Sequence, residues 1–139
     1  MSFTDLKLNP QLLKALLAKG YENPSPIQKK AIPPILAGQD VFGIAQTGTG
    51  KTAAYLLPVL MRLKFAQGDD PRALILVPTR ELAIQVCSEL ESFCIHLDLR
   101  YSAFYGGTGI NPQIEVAENG LDIVVATPGR LIDIHKKGA

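Results

Sequence analysis

The stretch Ala45-Gln46-Thr47-Gly48-Thr49-Gly50-Lys51-Thr52 decides the fold that the sequence predicts. It matches the phosphate-binding loop pattern, with alanine in place of the first glycine, and it directly follows the apolar run 41–44. Gly48 and Gly50 give access to backbone angles that other residues avoid, so successive N–H groups can turn toward phosphate oxygens. A helix that begins directly after the second of these glycines adds the positive end of its dipole.

The last two residues of the stretch carry the chemistry expected of such a loop. Lys51 would reach the β- and γ-phosphates as a point charge, and the Thr52 hydroxyl would coordinate Mg2+. The alternative is a glycine-rich turn that happens to precede Lys-Thr. Because a strand-like segment precedes the loop and a helix-like segment follows it, the sequence favours a nucleoside triphosphate site. Lys51 and Thr52 are its candidate catalytic residues, and Thr52 is its candidate metal ligand.

Length and composition indicate one globular domain. The chain has 139 residues, of which 47% are hydrophobic, enough to bury a sizeable core. Its 14 Lys and Arg residues nearly balance its 13 Asp and Glu residues. Net charge therefore argues neither for nor against a nucleic-acid partner, and any basic binding face must be local.

The cysteines and the N-terminal sequence indicate a cytoplasmic protein without a membrane partner. Cys87 and Cys94 occur without a CxxC pair or a His/Cys cluster, so both are expected to be small core residues in a reducing compartment. The first residues lack the basic and apolar segments of a secretory signal, and no apolar run reaches membrane-spanning length. His96 and His135 match no catalytic or metal motif.

Short apolar runs alternate with helical patterns along the chain. The apolar runs predict buried strands, and apolar residues that recur at helical spacing after Pro, Ser or Thr predict helices. The predicted strands are 41–44, 73–77, 100–105 and 122–126, and the predicted helices are 10–19, 26–36, 51–63, 79–90, 111–120 and 128–134. This alternation favours parallel strands with right-handed crossovers, hence a layered α/β domain. The site is expected in the loops at the carboxyl ends of the strands, 45–52, 78–81, 106–111 and 127–130.

Several of these loops together resemble one family, the DEAD-box RNA helicases. Motifs I, Ia, the GG doublet and Ib of that family are matched, in the family's order, by Ala45 to Thr52, Pro78-Thr79-Arg80-Glu81-Leu82-Ala83, Gly106-Gly107 and Thr127-Pro128-Gly129-Arg130. The Q motif is matched by Gly20 to Gln28, and Phe3 stands at the family's upstream aromatic position. The stretch Ile110-Asn111-Pro112-Gln113 further resembles the bacterial RhlE-type subgroup.

The resemblance implies a three-layer P-loop (RecA-like) α/β domain with a parallel sheet. Residues 1–38 would form its Q-motif region and residues 39–139 its P-loop core. The implied nucleotide is ATP, because the amide of Gln28 has a donor and an acceptor that can pair with the N6 and N7 edge of adenine and would mismatch guanine. The alternative for Gln28 is an ordinary polar residue on an exposed helix face.

The nucleotide site that the resemblance implies combines the Q motif with the phosphate loop. Phe3 could stack on the adenine, but Phe3 and Tyr21 could equally staple the first helix to the domain. The implied cofactor-binding residues are Phe3, Tyr21, Gln28, Ala45, Gln46, Thr47, Gly48, Thr49, Gly50, Lys51 and Thr52.

The family holds single-stranded RNA by its backbone, and the resemblance implies the same partner here. Two of the matching stretches begin helices, which offer N–H groups to phosphates, and the arginines add charge. Each arginine could instead be a solvated surface charge or part of a salt bridge within the domain. The implied RNA-binding residues are Pro78, Thr79, Arg80, Gly106, Gly107, Thr127, Pro128, Gly129 and Arg130.

The sequence departs from the family pattern after these motifs. The family continues with a strand that ends in Asp-Glu-Ala-Asp, a Ser-Ala-Thr motif and a C-terminal RecA-like domain that carries arginine fingers, and none of them occurs in the 139 residues. We therefore expect a fold that is incomplete at its C-terminal end, little ATP hydrolysis without the missing carboxylates and marginal stability unless a swapped partner compensates.

Three functions compete on the sequence alone. The leading one is the N-terminal part of an ATP-dependent RNA helicase that unwinds short duplexes or remodels RNA–protein complexes. The second is a non-catalytic module that binds nucleotide or RNA. The third is a small-molecule P-loop kinase, which gives no reason for the stretches 78–83 and 127–130.

Overall fold

The computed structural model of the protein describes residues 2–46 and 48–138. These residues form a short 3-10 helix at Phe3–Leu6, followed by helices and strands that alternate after residue 72. The helices are α1 (Pro10–Ala18), α2 (Pro26–Leu36), α3 (Lys51–Leu63), α4 (Arg80–Phe93), α5 (Ile110–Glu118) and α6 (Pro128–Lys136). The strands are β1 (Ala73–Leu76), β2 (Tyr101–Phe104) and β3 (Ile123–Ala126).

The helix starts follow from local sequence. Asn9 caps α1, where its side-chain oxygen accepts a hydrogen bond of 2.8 Å from the Leu12 N–H, and proline occupies the first position of α1, α2 and α6. Proline suits that position because its missing N–H would have no partner within the helix. The predicted helices are confirmed, with ends that differ by at most three residues.

The chain divides into two compact units, and the first contains the residues up to Lys64 together with Glu91–Leu97. Its main packing is between α2 and α3. Fully buried aliphatic side chains from three helices form its core: Leu12, Leu16, Ile32, Leu56, Leu57 and Leu60. Aliphatic burial of this kind is the dominant stabilising contribution in a small unit.

The predicted buried strand at 41–44 is wrong. These residues form no strand, and Val41, Phe42 and Ile44 are 41%, 91% and 83% exposed. A strand needs a neighbour to satisfy its backbone N–H and C=O groups, and the described residues of the first unit form no other strand that could pair with it. The apolar run indicates a preference for burial, whereas strand formation also requires a pairing partner.

The second unit, Phe65–Leu90 and the residues from Asp98 onward, contains the sheet. The strand order is β1-β3-β2 and both pairings are parallel, with Ala73 and Tyr101 each opposite Ile123. The central strand β3 is buried along its whole length, as expected for a strand covered on both faces. The predicted α/β class with a parallel sheet is confirmed, with three strands in place of four.

A buried carboxylate lies at the amino ends of these strands. Asp122 is completely buried, and it accepts hydrogen bonds from Arg72 Nη2 (2.9 Å), from Arg100 Nε (3.2 Å) and from the backbone N–H groups of Arg100 (2.9 Å) and Gln67 (3.1 Å). The register explains the meeting of the charged residues, since each of the three directly precedes a strand and the strands are paired in parallel. Asp122 therefore joins the starts of all three strands.

The protonation of Asp122 reflects two opposing effects. Burial alone would raise the pKa of this carboxyl, because it disfavours the charged form. The hydrogen bonds from the side chain and backbone of Arg100, from Arg72 and from the Gln67 N–H outweigh burial and hold the pKa of Asp122 well below its usual range. The carboxylate thus stays ionised in the folded chain.

None of the helices in the described part of the chain combines the length and the hydropathy that crossing a bilayer requires.

We predict that Asp122→Asn lowers the free energy of unfolding at pH 7 by about 2–4 kcal/mol, since it removes the charge that the two arginines face. The wild-type contribution is complete above the unfolded pKa of about 3.9 and is lost as the pH falls through the lower folded value. Urea unfolding followed by circular dichroism between about pH 7 and pH 2 should show a shallower acid decline in the variant.

Asp133→Asn is the matched control, since Asp133 is an exposed carboxylate on α6. It should leave the unfolding free energy within about 0.5 kcal/mol of the wild type. A variant at Asp122 that retained the full acid decline would contradict the role assigned to its charge.

Candidate functional site

The phosphate loop enters α3 through left-handed glycines. Gly48 and Gly50 both have φ of 84°, and Gly50 caps the helix. Between them, the Thr49 hydroxyl donates a hydrogen bond of 2.6 Å to the Gln46 carbonyl oxygen and closes the turn. Only glycine adopts such angles without strain, so the sequence makes this turn possible. Thr47 lies outside the described residues, and Ala45 is partly buried at the start of the loop.

Lys51 and Thr52 occupy the first turn of α3. Lys51 is exposed and Thr52 is partly buried, so an ammonium group and a hydroxyl group lie at the amino end of a 13-residue helix. Burial raises the pKa of Tyr55, one turn further on, against a smaller opposite effect of a hydrogen bond with the Thr52 side chain. An exposed lysine at a helix N-terminus that follows two glycines of positive φ is an arrangement that suits an anion.

The described residues include no group of three or more His, Cys, Asp or Glu side chains that could hold a metal ion. Thr52 is the one predicted metal ligand. Its coordination of Mg2+ stays a prediction.

Gln28 connects the start of α2 to the phosphate loop. Its side chain is 5% exposed, its Oε1 accepts a hydrogen bond of 2.9 Å from the Ser25 N–H, and its Nε2 donates one of 3.1 Å to the Gly50 carbonyl oxygen. A Cβ on Gly50 would overlap the Gln28 amide. The amide therefore already uses one donor and one acceptor within the chain, which leaves one donor and one acceptor lone pair for a ligand. The alternative of an exposed polar residue does not describe Gln28.

The two candidate aromatic residues differ in exposure. Phe3 is 4% exposed within the 3-10 helix, and its N–H donates to the Glu22 carbonyl oxygen at 3.4 Å. Tyr21 is 37% exposed, and the Lys19 ammonium lies 5.4 Å from its ring centroid. Burial of the Phe3 ring favours the stapling interpretation over adenine stacking, while the Tyr21 ring remains accessible.

Three predicted RNA-binding stretches meet at the carboxyl ends of the strands in the second unit. The Val77 N–H donates to the Ala126 carbonyl oxygen, and the Thr127 N–H donates to the Phe104 carbonyl oxygen, both at 3.0 Å. Parallel pairing thus carries the ends of β1, β2 and β3 to one edge of the sheet. The remaining candidates in these loops, Pro78, Gly106, Gly107, Pro128 and Gly129, are all exposed.

Two of the three stretches begin helices. Thr79 precedes α4, and its hydroxyl oxygen accepts a hydrogen bond of 3.2 Å from the Leu82 N–H. Thr127 is the N-terminal capping residue of α6. The unpaired N–H groups and the dipoles of both helices therefore face the same edge as the exposed loops.

The two candidate arginines converge on the loop between β2 and α5. The Arg80 guanidinium lies 5.3 Å from the centre of the Tyr105 ring, and its Nη1 would be 3.1 Å from a Cβ placed on Gly107. Arg130 donates from Nη1 to Gln113 Oε1 and from Nη2 to the Thr108 carbonyl oxygen, both at 3.1 Å. Neither arginine forms a salt bridge with a carboxylate of the described residues.

Sequence reasoning missed Tyr105, Thr108 and Gln113 as parts of this edge. It used Gln113 only for a subgroup resemblance, although a glutamine four residues beyond an exposed Gly-rich loop signals a side chain that can return to bond the loop backbone. The sequence also assigned Asp122 no role beyond the first position of the predicted strand 122–126. Arginines directly before two other strands were the available signal for its pairing.

The family model described as DEAD/DEAH box helicase matches residues 25–139. Among curated relatives, the ATP-dependent RNA helicase RhlB of Aliivibrio salmonicida is 46% identical over 142 residues, covering 98% of this chain and 33% of its own length. The probable ATP-dependent RNA helicase DDX46 of Homo sapiens is 44% identical over 137 residues, covering 96% of this chain and 13% of its own length. The RhlE-type resemblance stays a prediction.

A solved structure agrees with these relatives. The crystal structure of a DEAD box protein from the hyperthermophile Methanococcus jannaschii superimposes with a TM-score of 0.90 at 42% identity, covering 99% of this chain and 38% of that chain. The chain thus spans well under half the length of the relatives it matches. Because a family model covers most of the chain and the fold agrees with a solved member, the chain belongs to the DEAD/DEAH box helicase family.

Proposed function

We propose that the protein is the ATP-binding and RNA-backbone-binding part of an ATP-dependent RNA helicase. The observation that carries this proposal is the start of α3, where two glycines with φ of 84° lead into an exposed Lys51. Membership of the DEAD/DEAH box helicase family makes a nucleotide the expected anion at this position. The second partner, RNA, would bind at the basic, glycine-rich edge of the sheet.

In this proposal the phosphate loop holds the triphosphate of ATP. The backbone N–H groups of residues 48–50 and the dipole of α3 would face the phosphates, and Lys51 would neutralise their charge. Thr52 would hold Mg2+, which would supply charge stabilisation at the phosphate oxygens. Two hydrogen bonds, from Thr49 to the Gln46 carbonyl oxygen and from Gln28 to the Gly50 carbonyl oxygen, hold part of the loop without a ligand, which would lower the entropy cost of binding the nucleotide.

Gln28 gives the proposed site its preference for adenine. The remaining donor and acceptor of its amide can pair with N6 and N7 of adenine, whereas guanine presents acceptors at both O6 and N7. Its bond to the Gly50 carbonyl oxygen couples this contact to the phosphate loop. Binding of the base and binding of the phosphates would therefore be mutually dependent.

RNA would be bound at the sheet edge formed by 78–80, 106–107 and 127–130. Two helix N-termini and two arginines offer donors and positive charge to backbone phosphates and offer no edge for reading bases. Binding is therefore expected to tolerate any sequence and to weaken with salt. In the whole protein, ATP and RNA would both bind more tightly when two RecA-like domains are closed, and so would shift the population from the open to the closed state. Closure would then separate a short duplex.

A cytoplasmic location accompanies this proposal. Cys87 and Cys94 are both free thiols, and burial raises the pKa of Cys87 to about 11 and that of Cys94 to about 12. Thiols with raised pKa values are poor nucleophiles, as expected of structural cysteines in a reducing compartment.

The first prediction for the proposed function concerns the phosphates. ADP should bind the protein measurably by isothermal titration calorimetry, and Lys51→Ala should weaken this binding by roughly 10- to 100-fold, because a hydrogen bond to a charged group is lost. Lys14→Ala, which removes an exposed lysine on α1, is the matched control. Equal affinity in the Lys51 variant would show that the loop does not hold phosphates.

The second prediction concerns the base. ADP should bind at least about tenfold more tightly than GDP, and Gln28→Ala should reduce this ratio toward one, because the amide alone separates the two bases. Gln11→Ala removes an exposed glutamine on α1 and should leave the ratio unchanged. A wild-type protein that binds ADP and GDP equally would exclude adenine recognition by Gln28.

The third prediction concerns RNA. Arg80→Ala and Arg130→Ala should each weaken binding of a fluorescent oligouridylate by about tenfold and lower the slope of log affinity against log salt by about 0.7, the value expected for one lost phosphate contact. ADP affinity should stay unchanged in both variants. Loss of ADP and RNA binding together would instead indicate a structural role for the arginine.

A further inference from the structure

Gln113 on α5 bonds three separate segments of the second unit. Its Nε2 donates to the Tyr105 carbonyl oxygen and to Thr108 Oγ1, both at 3.1 Å, and its Oε1 accepts from Arg130 Nη1 at 3.1 Å. One amide thus joins the end of β2, the following loop and the first turn of α6. Both ends of the amide are used, so its orientation is determined by its partners.

The loop that Gln113 bonds needs support from outside itself. Residues 106–109 read Gly-Gly-Thr-Gly and are all exposed, so the loop buries little of its own surface and loses much backbone entropy when it is ordered. Gln113 holds the loop at Tyr105 and Thr108, and Arg130 Nη2 holds it at the Thr108 carbonyl oxygen.

The same contacts fix the guanidinium of Arg130. Two of the five N–H donors of a guanidinium are used by Gln113 Oε1 and the Thr108 carbonyl oxygen. The other three remain for an anion, and two fixed donors set the plane in which they point. A guanidinium held in this way loses less side-chain entropy when it binds a phosphate.

Because the side chain of Gln113 is a neutral carboxamide, its hydrogen bond leaves the positive charge of Arg130 unpaired with a negative charge. A carboxylate there would form an ion pair with Arg130 and cancel the charge that attracts a phosphate. A carboxamide accepts the same hydrogen bond while remaining neutral. An amide is therefore the acceptor that orients an arginine without consuming its charge.

We infer that Gln113 is a positioning residue for RNA binding, which holds the Arg130 guanidinium in the orientation that receives a backbone phosphate. This inference rests on the proposed RNA function of the sheet edge. Gln113 acts through Arg130 in this arrangement, so removal of Arg130 should also remove the effect of Gln113.

The test is a double-mutant cycle on binding of a fluorescent oligouridylate. Gln113→Met, which keeps the length of the side chain and removes its hydrogen bonds, should weaken binding by about three- to tenfold. The variant that carries both Gln113→Met and Arg130→Ala should bind no more weakly than Arg130→Ala alone. The salt slope of Gln113→Met should move toward that of Arg130→Ala, and ADP affinity should not change. Gln11→Ala is the control for glutamine removal.

Arg130→Lys tests the inference without altering Gln113. It keeps the charge but cannot hold Gln113 Oε1 and the Thr108 carbonyl oxygen in one plane, so it should bind RNA nearly as weakly as Arg130→Ala. Wild-type affinity in Arg130→Lys or Gln113→Met, or effects that multiply in the double variant, would overturn the inference. A normal affinity in Arg130→Ala would instead contradict the proposed function itself.

Discussion

The parallel register of β3 between β1 and β2 is the constraint on which the second unit depends. Ala73 of β1 and Tyr101 of β2 are both register partners of Ile123 in β3. Residues of the three strands that lie equally far from the strand starts are therefore neighbours. At the amino ends the register assembles Asp122 with Arg72 and Arg100, and at the carboxyl ends it assembles the three loops. Stability and candidate binding residues therefore occupy opposite ends of the same strands, where one can change without altering the other.

In the first unit, a single side chain connects the start of α2 to the phosphate loop. Gln28 satisfies the Ser25 N–H and the Gly50 carbonyl oxygen with one amide, and Gln113 performs a similar task in the second unit. Both side chains cross from a helix to a glycine-rich loop, which has few contacts of its own. Neutral amides suit both positions, since they offer donor and acceptor together without adding charge beside a proposed anion site.

Local patterns predicted the helices, three strands and the loops that follow them, because capping residues and apolar periodicity act within a few residues. The strand at 41–44 was wrong because strand formation depends on a partner far along the chain. The roles of Asp122 and Gln113 escaped prediction for a similar reason, since each becomes apparent only when the register and the loop path are known. The motifs predicted which residues lie in the loops, but they did not predict the hydrogen bonds that these residues form.

The exposed segment 41–44 has a consequence for the behaviour of the protein in solution. Phe42 and Ile44 are 91% and 83% exposed beside Val41, and β-branched and aromatic side chains with open backbone groups favour strand pairing. Two chains could satisfy these groups by pairing with each other, so self-association should rise with protein concentration.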